Sequence, residues 1–148
     1  ALTLLAGAGA SGSSPDGRSE DGTATAVFDA TNPFFAPSTL PMQAPDFAAI
    51  RAEHFLPAIL EGMRRQLVEI EAIATDPAAP TVANTIDAME RSGALLTRVS
   101  SVFSNLSGTD SNDAIRAIEA EVAPKLAAHQ DAILLNPGLF ARVKALYD

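Results

Sequence analysis

From Leu56 to Tyr147 apolar residues return at every third or fourth position, and prolines and turn residues punctuate the pattern. That spacing is the period of one α-helical face, so this part of the chain is committed to helices packed side by side. A first helix is predicted from about Glu53 to Thr75, with Leu56, Ile59, Leu60, Met63, Leu67, Ile70 and Ala74 on its stripe. Pro57 falls in its first turn, where a missing N–H does no harm. Asp76-Pro77 ends it, because the residue before a proline is pushed out of the helical region. A second helix is predicted from the N-cap Thr81 to about Leu106, with Ile86, Met89, Gly93, Leu96, Val99, Phe103 and Leu106 on one face. Gly93 inside that stripe implies close backbone approach by a neighbouring helix.

A third helix is predicted from Asp110 or Ser111 to about Leu134, with a stripe of Ile115, Ile118, Val122, Leu126, His129 and Ile133. Pro124 lies inside it, so this is one bent helix or two abutting ones. Asn136-Pro137 opens a fourth, since Asn is a good N-cap and Pro suits the first helical position. Leu139, Phe140, Val143, Leu146 and Tyr147 form its stripe, and the sequence ends one residue later at Asp148. A stripe on a last helix needs a cover, and the expectation is a piece of a longer protein. Short connections between long helices favour antiparallel neighbours, so the fold class expected is all-α, a bundle of antiparallel helical hairpins.

Composition narrows the chemistry. The chain has 148 residues, enough for one ordinary core, and 47% of them are hydrophobic. Only 5% are aromatic and none is tryptophan, so much of the apolar content is alanine, which suits closely packed helices. The absence of cysteine removes disulfides, thiolate zinc sites and cysteine nucleophiles together. The formal charge is −8, and an acidic chain repels phosphate backbones, so no nucleic-acid partner is expected.

Residues 1–30 read differently. ALTLLAGAGA at positions 1–10 is short, small and apolar, like the end of a signal-peptide hydrophobic region. Ala6-Gly7-Ala8 or Ala8-Gly9-Ala10 is its candidate cleavage site; an untidy N-terminus is the plainer reading. A periplasmic or secreted location follows if the signal is real, and a cytoplasmic one otherwise. The run is too short to span a bilayer, which takes about 20 apolar residues. Ser11 to Ala26 carries little to bury and reads as a flexible linker. The ordered part is expected at 31–148. It begins with Pro33, Pro37, Pro41 and Pro45, which suppress both helix and central strand. Phe34, Phe35, Leu40, Met42 and Phe47 are interleaved with them. The stretch reads as an extended strap pinned in a groove by its aromatics, or else as a docking segment for a partner.

No catalytic constellation is expected in these residues. Zinc hydrolysis commonly uses two histidines in His-Glu-x-x-His on one helix face. Glu53-His54 is followed by Phe55, Leu56, Pro57 and Ala58, and His129 stands among Ala127, Ala128 and Gln130. His54 therefore reads as a capping or packing residue and His129 as a hydrogen-bonded core histidine. Ser100, Ser101, Ser104 and Ser107 have no neighbouring base to activate them. Glu119 and Glu121 lie on different helix faces and read as solvated surface. The expected catalytic, cofactor-binding and metal-binding residues of this segment are accordingly none.

Several short motifs nevertheless come in a telling order. Asn32-Pro33-Phe34 is followed by Ser38-Thr39-Leu40-Pro41, then His54-Phe55-Leu56-Pro57-Ala58 and Glu61-Gly62-Met63. Asn84-Thr85-Ile86, Ser92-Gly93, Leu95-Leu96-Thr97-Arg98-Val99, Asn136 and Leu139-Phe140-Ala141-Arg142-Val143 complete the series. From Asn32 onward the text resembles the amino-terminal part of bacterial peptidyl-dipeptidases of the thimet oligopeptidase family. The resemblance implies a mostly helical, ellipsoidal parent split by a deep channel. It also implies a zinc ion held by His-Glu-x-x-His and a further glutamate, releasing dipeptides from the C-termini of peptides. In such enzymes the zinc polarises the scissile carbonyl and the motif glutamate serves as base. None of those residues maps onto this sequence, so zinc is expected in the parent and not in this segment. What the resemblance carries over is architecture: helices forming a wall or lid beside the channel, with the rest of the parent chain as partner and peptides as substrates. The competing reading is a stand-alone helical protein-binding module without catalysis.

Overall fold

The computed structural model describes residues 27–109 and 111–148, and among these it is helical with no strand. Five α-helices follow in order: α1 (Phe55–Ala74), α2 (Asp87–Arg91), α3 (Ala94–Thr109), α4 (Asp113–Leu134) and α5 (Pro137–Lys144). Single 3-10 turns at Pro41–Gln43 and Ala52–His54 precede α1, and a π turn at Val82–Ile86 leads into α2. The all-α class read from the spacing is what the chain adopts. The readings placed on residues 1–26 lie outside the described residues.

Helix α1 is the spine, in contact with α3, α4 and α5. It buries Phe55, Ala58, Ile59, Gly62, Met63, Ile70 and Ile73. Of the predicted stripe Ile59, Met63 and Ile70 are buried, Leu56, Leu60 and Ala74 half-buried, and Leu67 exposed, because the buried face is turned toward Phe55, Ala58 and Gly62. The Phe55 ring meets Phe103 at 5.2 Å, Gly62 faces Leu96, and Gln66 faces Gly93. Numbers rising along α1 fall along its partner, so α1 and α3 are antiparallel. Gln66 bonds His129 and Glu71 reaches Asn136, so α4 returns in the same sense as α1. One core gathers Phe34, Ile50, Phe55, Ile59, Met63, Leu95, Val99, Val102, Phe103, Ile115 and Val122 among others. A smaller one joins Ile70, Ile73, Ile133 and Leu139 where α1, α4 and α5 meet.

The second predicted helix is not continuous. Its N-cap is as expected: Thr81 Oγ1 accepts from the Asn84 N–H at 3.1 Å while Asn84 Oδ1 accepts from the Thr81 N–H at 2.7 Å. The helix then breaks at Ser92-Gly93, because Gly93 sits at φ +70°, outside the helical region. Its N–H turns to the Glu69 carboxylate at 2.7 Å. A Cβ there would lie 2.5 Å from the Gln66 side chain, so the close neighbour is a side chain and not a helix backbone. The true helix-to-helix approach belongs to Gly62, whose Cβ would fall 2.9 Å from Leu96 Cα.

Helix α4 is a single helix that begins at Asp113, with Asn112 Oδ1 capping the Ile115 N–H at 3.0 Å. Pro124 is exposed, so the carbonyl that loses its partner faces water. The predicted stripe is met residue by residue: Ile115, Val122, His129 and Ile133 are buried, and Ile118 and Leu126 half-buried. In α5 the Asn136 cap holds the Leu139 N–H at 2.9 Å. Leu139 is buried, yet Phe140 is 65% and Tyr147 84% exposed.

The proline-rich strap follows a string of turns and does not lie flat. Phe34 is buried against Phe55, with ring centroids 5.3 Å apart, and Ile50 is buried too. Phe35, Leu40, Met42 and Phe47 are exposed, Met42 completely. Met42 (φ 57°) and Gln43 (φ 56°) both adopt left-handed backbone, at the point where the strap is most exposed. Phe28, just upstream, packs on Phe35 and lies under the Arg65 guanidinium at 5.4 Å.

Gly62→Ala should destabilise the fold by about 1–3 kcal/mol, because the added methyl meets Leu96 backbone. Gly108→Ala in α3, where nothing lies within 4 Å, should stabilise by up to about 1 kcal/mol. Urea midpoints of the two variants should therefore move in opposite directions.

Candidate functional site

Two places concentrate polar chemistry inside the fold. The first is a cavity of about 410 Å³ lined by residues 30–40, 43, 45, 46, 49 and 50 together with Arg98 and Val102 of α3. Its walls are built mainly by the strap, which two polar ties hold to the helical body and a third bond braces from within. Asn32, itself buried, donates from Nδ2 to the His54 carbonyl at 3.0 Å and accepts the Phe34 N–H at 2.9 Å. Arg98 Nη2 donates to the Phe34 carbonyl at 2.8 Å. These bonds satisfy backbone groups that no helix or sheet ladder supplies, which is why an irregular segment can close over a core.

The second is a polar knot at the Gly93 break. His129 Nε2 and Gln66 Oε1 are 2.8 Å apart, and since the amide oxygen only accepts, Nε2 carries the proton. Gln66 Nε2 donates to Ser92 Oγ at 3.3 Å, and Ser92 Oγ donates to the Met89 carbonyl at 2.7 Å. With Glu69 on the Gly93 N–H, this knot joins α1, α4 and the start of α3. His129 Nδ1 is buried without a partner, which keeps the ring neutral.

The remaining sequence candidates are dispersed. His54 sits ahead of α1, where its Nδ1 accepts the Arg51 N–H at 3.0 Å, so it acts as a cap. Ser101 and Ser107 bond back to Thr97 and Ser104 carbonyls within α3, as surface hydroxyls do. Glu119 and Glu121 are exposed, and Glu121 pairs with Lys125 at 3.2 Å. Among the described residues no three His, Asp or Glu side chains converge as a metal site requires, so these residues do not fit a zinc ion.

Sequence reading passed over the buried polar groups that matter most. Arg142 is 6% exposed and donates from Nη1 to the carbonyls of Asp76 and Ala78 at 2.7 and 3.0 Å. It clamps the α1–α2 connection to α5. The available signal was spacing: Arg142 follows Leu139 by three, and Gln66 stands between Met63 and Ile70 on the inner face of α1.

No protein-family profile matches the chain. Dipeptidyl carboxypeptidase from Salmonella typhimurium is 47% identical over 117 residues, which is 79% of this chain and 17% of that protein. The chain resembles dipeptidyl carboxypeptidases. The Escherichia coli dipeptidyl carboxypeptidase agrees, at 45% over 116 residues, covering 78% of this chain and 17% of the relative. The chain thus spans about 17% of the length of the dipeptidyl carboxypeptidases it matches. The resemblance read from the ordered motifs is the one these comparisons show.

The knot gives a pH signature. Burial pushes the His129 imidazole below its ordinary value of 6.5. The unfolded chain therefore takes up a proton that the folded chain refuses. Stability should be full above pH 6.5 and fall as the pH drops below it, levelling once the folded imidazole titrates. Glu61 is held at about 2 by Arg64 and Arg65, so its contribution is lost only between 4.5 and 2. Urea midpoints measured against pH should show the upper fall in the parent chain and lose it in His129→Gln.

Proposed function

We propose that this chain is the amino-terminal helical part of a zinc-dependent peptidyl-dipeptidase, forming a wall or lid beside the substrate channel. The whole enzyme releases dipeptides from the C-termini of peptides. The observation that carries this reading is 45–47% identity to two dipeptidyl carboxypeptidases over 116–117 residues. Identity at that level over so long a stretch is hard to reconcile with an unrelated core. The all-helical body agrees with the helical parent implied by the motifs. Residues 31–148 form the helical segment in this reading, and residues 1–30 a signal-like start and linker that would export the enzyme.

The residues described here do not fit a zinc ion, so no catalytic step is assigned to them. Their contribution is mechanical. Leu134 and Leu135 at the α4–α5 corner, Phe140 in α5 and Tyr147 beyond it are between 65% and 84% exposed. Apolar groups of that size along the end of the chain suit contact with the remainder of a peptidase chain. The acidic balance is compatible with a channel wall. Among the described residues no helix is long and apolar enough to cross a membrane.

A chimera tests the proposal. In the Escherichia coli enzyme, the matched stretch is replaced by the one from this chain. The chimera should bind zinc and release dipeptides within about tenfold of its parent, a loss of no more than about 1.4 kcal/mol. A folded, zinc-loaded chimera without dipeptide release would overturn the reading in favour of a stand-alone binding module. Separately, the 148-residue chain alone should neither keep zinc through dialysis nor release dipeptides. Stoichiometric zinc with chelator-sensitive release would contradict that.

A further inference from the structure

We infer that the cavity under the proline-rich strap is a binding pocket for a small apolar carboxylate, with Arg98 as the group that receives its charge. The cavity holds about 410 Å³, which is at the small end of the range of about 300–1,000 Å³ usual for ligand pockets. Its wall is mainly apolar, with Pro33, Phe35, Pro37, Leu40, Ile50 and Val102 contributing. Two charged residues line it, Arg98 and Asp46. Asp46 turns Oδ1 to the N–H groups of Ala48 and Ala49 at 3.1 and 3.3 Å and forms no ion pair with Arg98.

Arg98 is unusual among the cations of the described residues. Arg64, Arg65, Arg116, Lys125, Arg142 and Lys144 each pair with a carboxylate. Arg51 and Arg91 do not, but both are exposed to water. Arg98 alone is half-buried with no carboxylate partner among the described residues. One hydrogen bond engages the guanidinium, to the Phe34 carbonyl, and its Nε is buried with no acceptor. Removing a cation from water without an anion is unfavourable, and a ligand anion reverses that. Burial and the nearby Arg65 charge both weigh against the charged form of Arg98, which an anion would offset.

The chemistry of the occupant follows. A guanidinium matches the planar pair of oxygens of a carboxylate. A single cation in an apolar chamber suits a monoanion with an apolar body better than a phosphate dianion. The size favours a molecule like one acylated amino acid.

The test uses the full 148-residue chain and two probes, N-acetylphenylalanine and its uncharged amide, followed by calorimetry and by chemical-shift changes at the Arg98 side chain. The acid should bind at least about tenfold more tightly than the amide, which is about 1.4 kcal/mol. Arg98→Met should abolish that preference, and Arg98→Lys should keep part of it. Because Arg98 also holds the Phe34 carbonyl, residual amide binding by Arg98→Met reports whether the cavity survives. Leu40→Trp, at an exposed wall position, should weaken both probes. Equal binding of acid and amide by the unaltered chain, or no binding of the acid at millimolar concentration, would overturn the inference whatever the variants do.

Discussion

The body of this protein depends on how closely α1 and α3 can approach. At Gly62 the α1 backbone comes so near Leu96 that any side chain would strike backbone. That approach draws Phe55, Ile59 and Met63 onto Leu95, Val99 and Phe103 and makes the centre of a core that α4 and the strap complete. It also forces a decision at the start of α3. The chain entering α3 has to clear α1, and it does so by breaking at Gly93, where left-handed backbone hands its N–H to Glu69. One glycine admits the neighbour and the other turns the chain into place. Helix α4 then closes over the same region through His129 and Gln66, so helix packing and the polar knot are parts of a single arrangement.

Irregular chain is secured by long polar side chains reaching out of the helices. Arg98 takes the Phe34 carbonyl, and Arg142 takes those of Asp76 and Ala78. Asn32 performs the converse task by holding the His54 carbonyl from the strap side. Buried backbone groups outside a ladder need such partners, and each partner here is a side chain that is itself largely withdrawn from water. The strap cavity is a by-product of that scheme. A segment tied down at Asn32, Phe34 and Ile50, with left-handed turns at Met42 and Gln43, arches between its fixed points. The arch leaves space above Arg98.

The likeness to dipeptidyl carboxypeptidases concerns a stretch that is about 17% of those proteins. A scaffold role is consistent with where its polar residues are used. Asn32, Arg98, His129 and Arg142 each engage backbone or another side chain, which gives rigidity, although Arg98 Nε, His129 Nδ1 and Arg142 Nε are left without a partner. Its apolar surplus is at the edges instead, on the strap and at the α4–α5 corner.

The helices were legible because helix periodicity is a local property. A stripe at spacings of three and four records which side meets water, and that held for every position named in α4. Thr81 and Asn136 were legible as caps because their partners lie three residues away. The ordered motifs from Asn32 to Val143 were enough to point to the peptidase resemblance. The break at Gly93 was not legible, since glycine on a stripe suits either close packing or a turn, and only Glu69 and Gln66 on another helix decide between them. The pairings of His129 with Gln66 and of Arg142 with Asp76 and Ala78 span more than sixty residues, beyond any local pattern. Four of the five large apolar residues named in the strap are exposed for the same reason: burial is set by the space the helices leave, and of those five only Phe34 reaches the core.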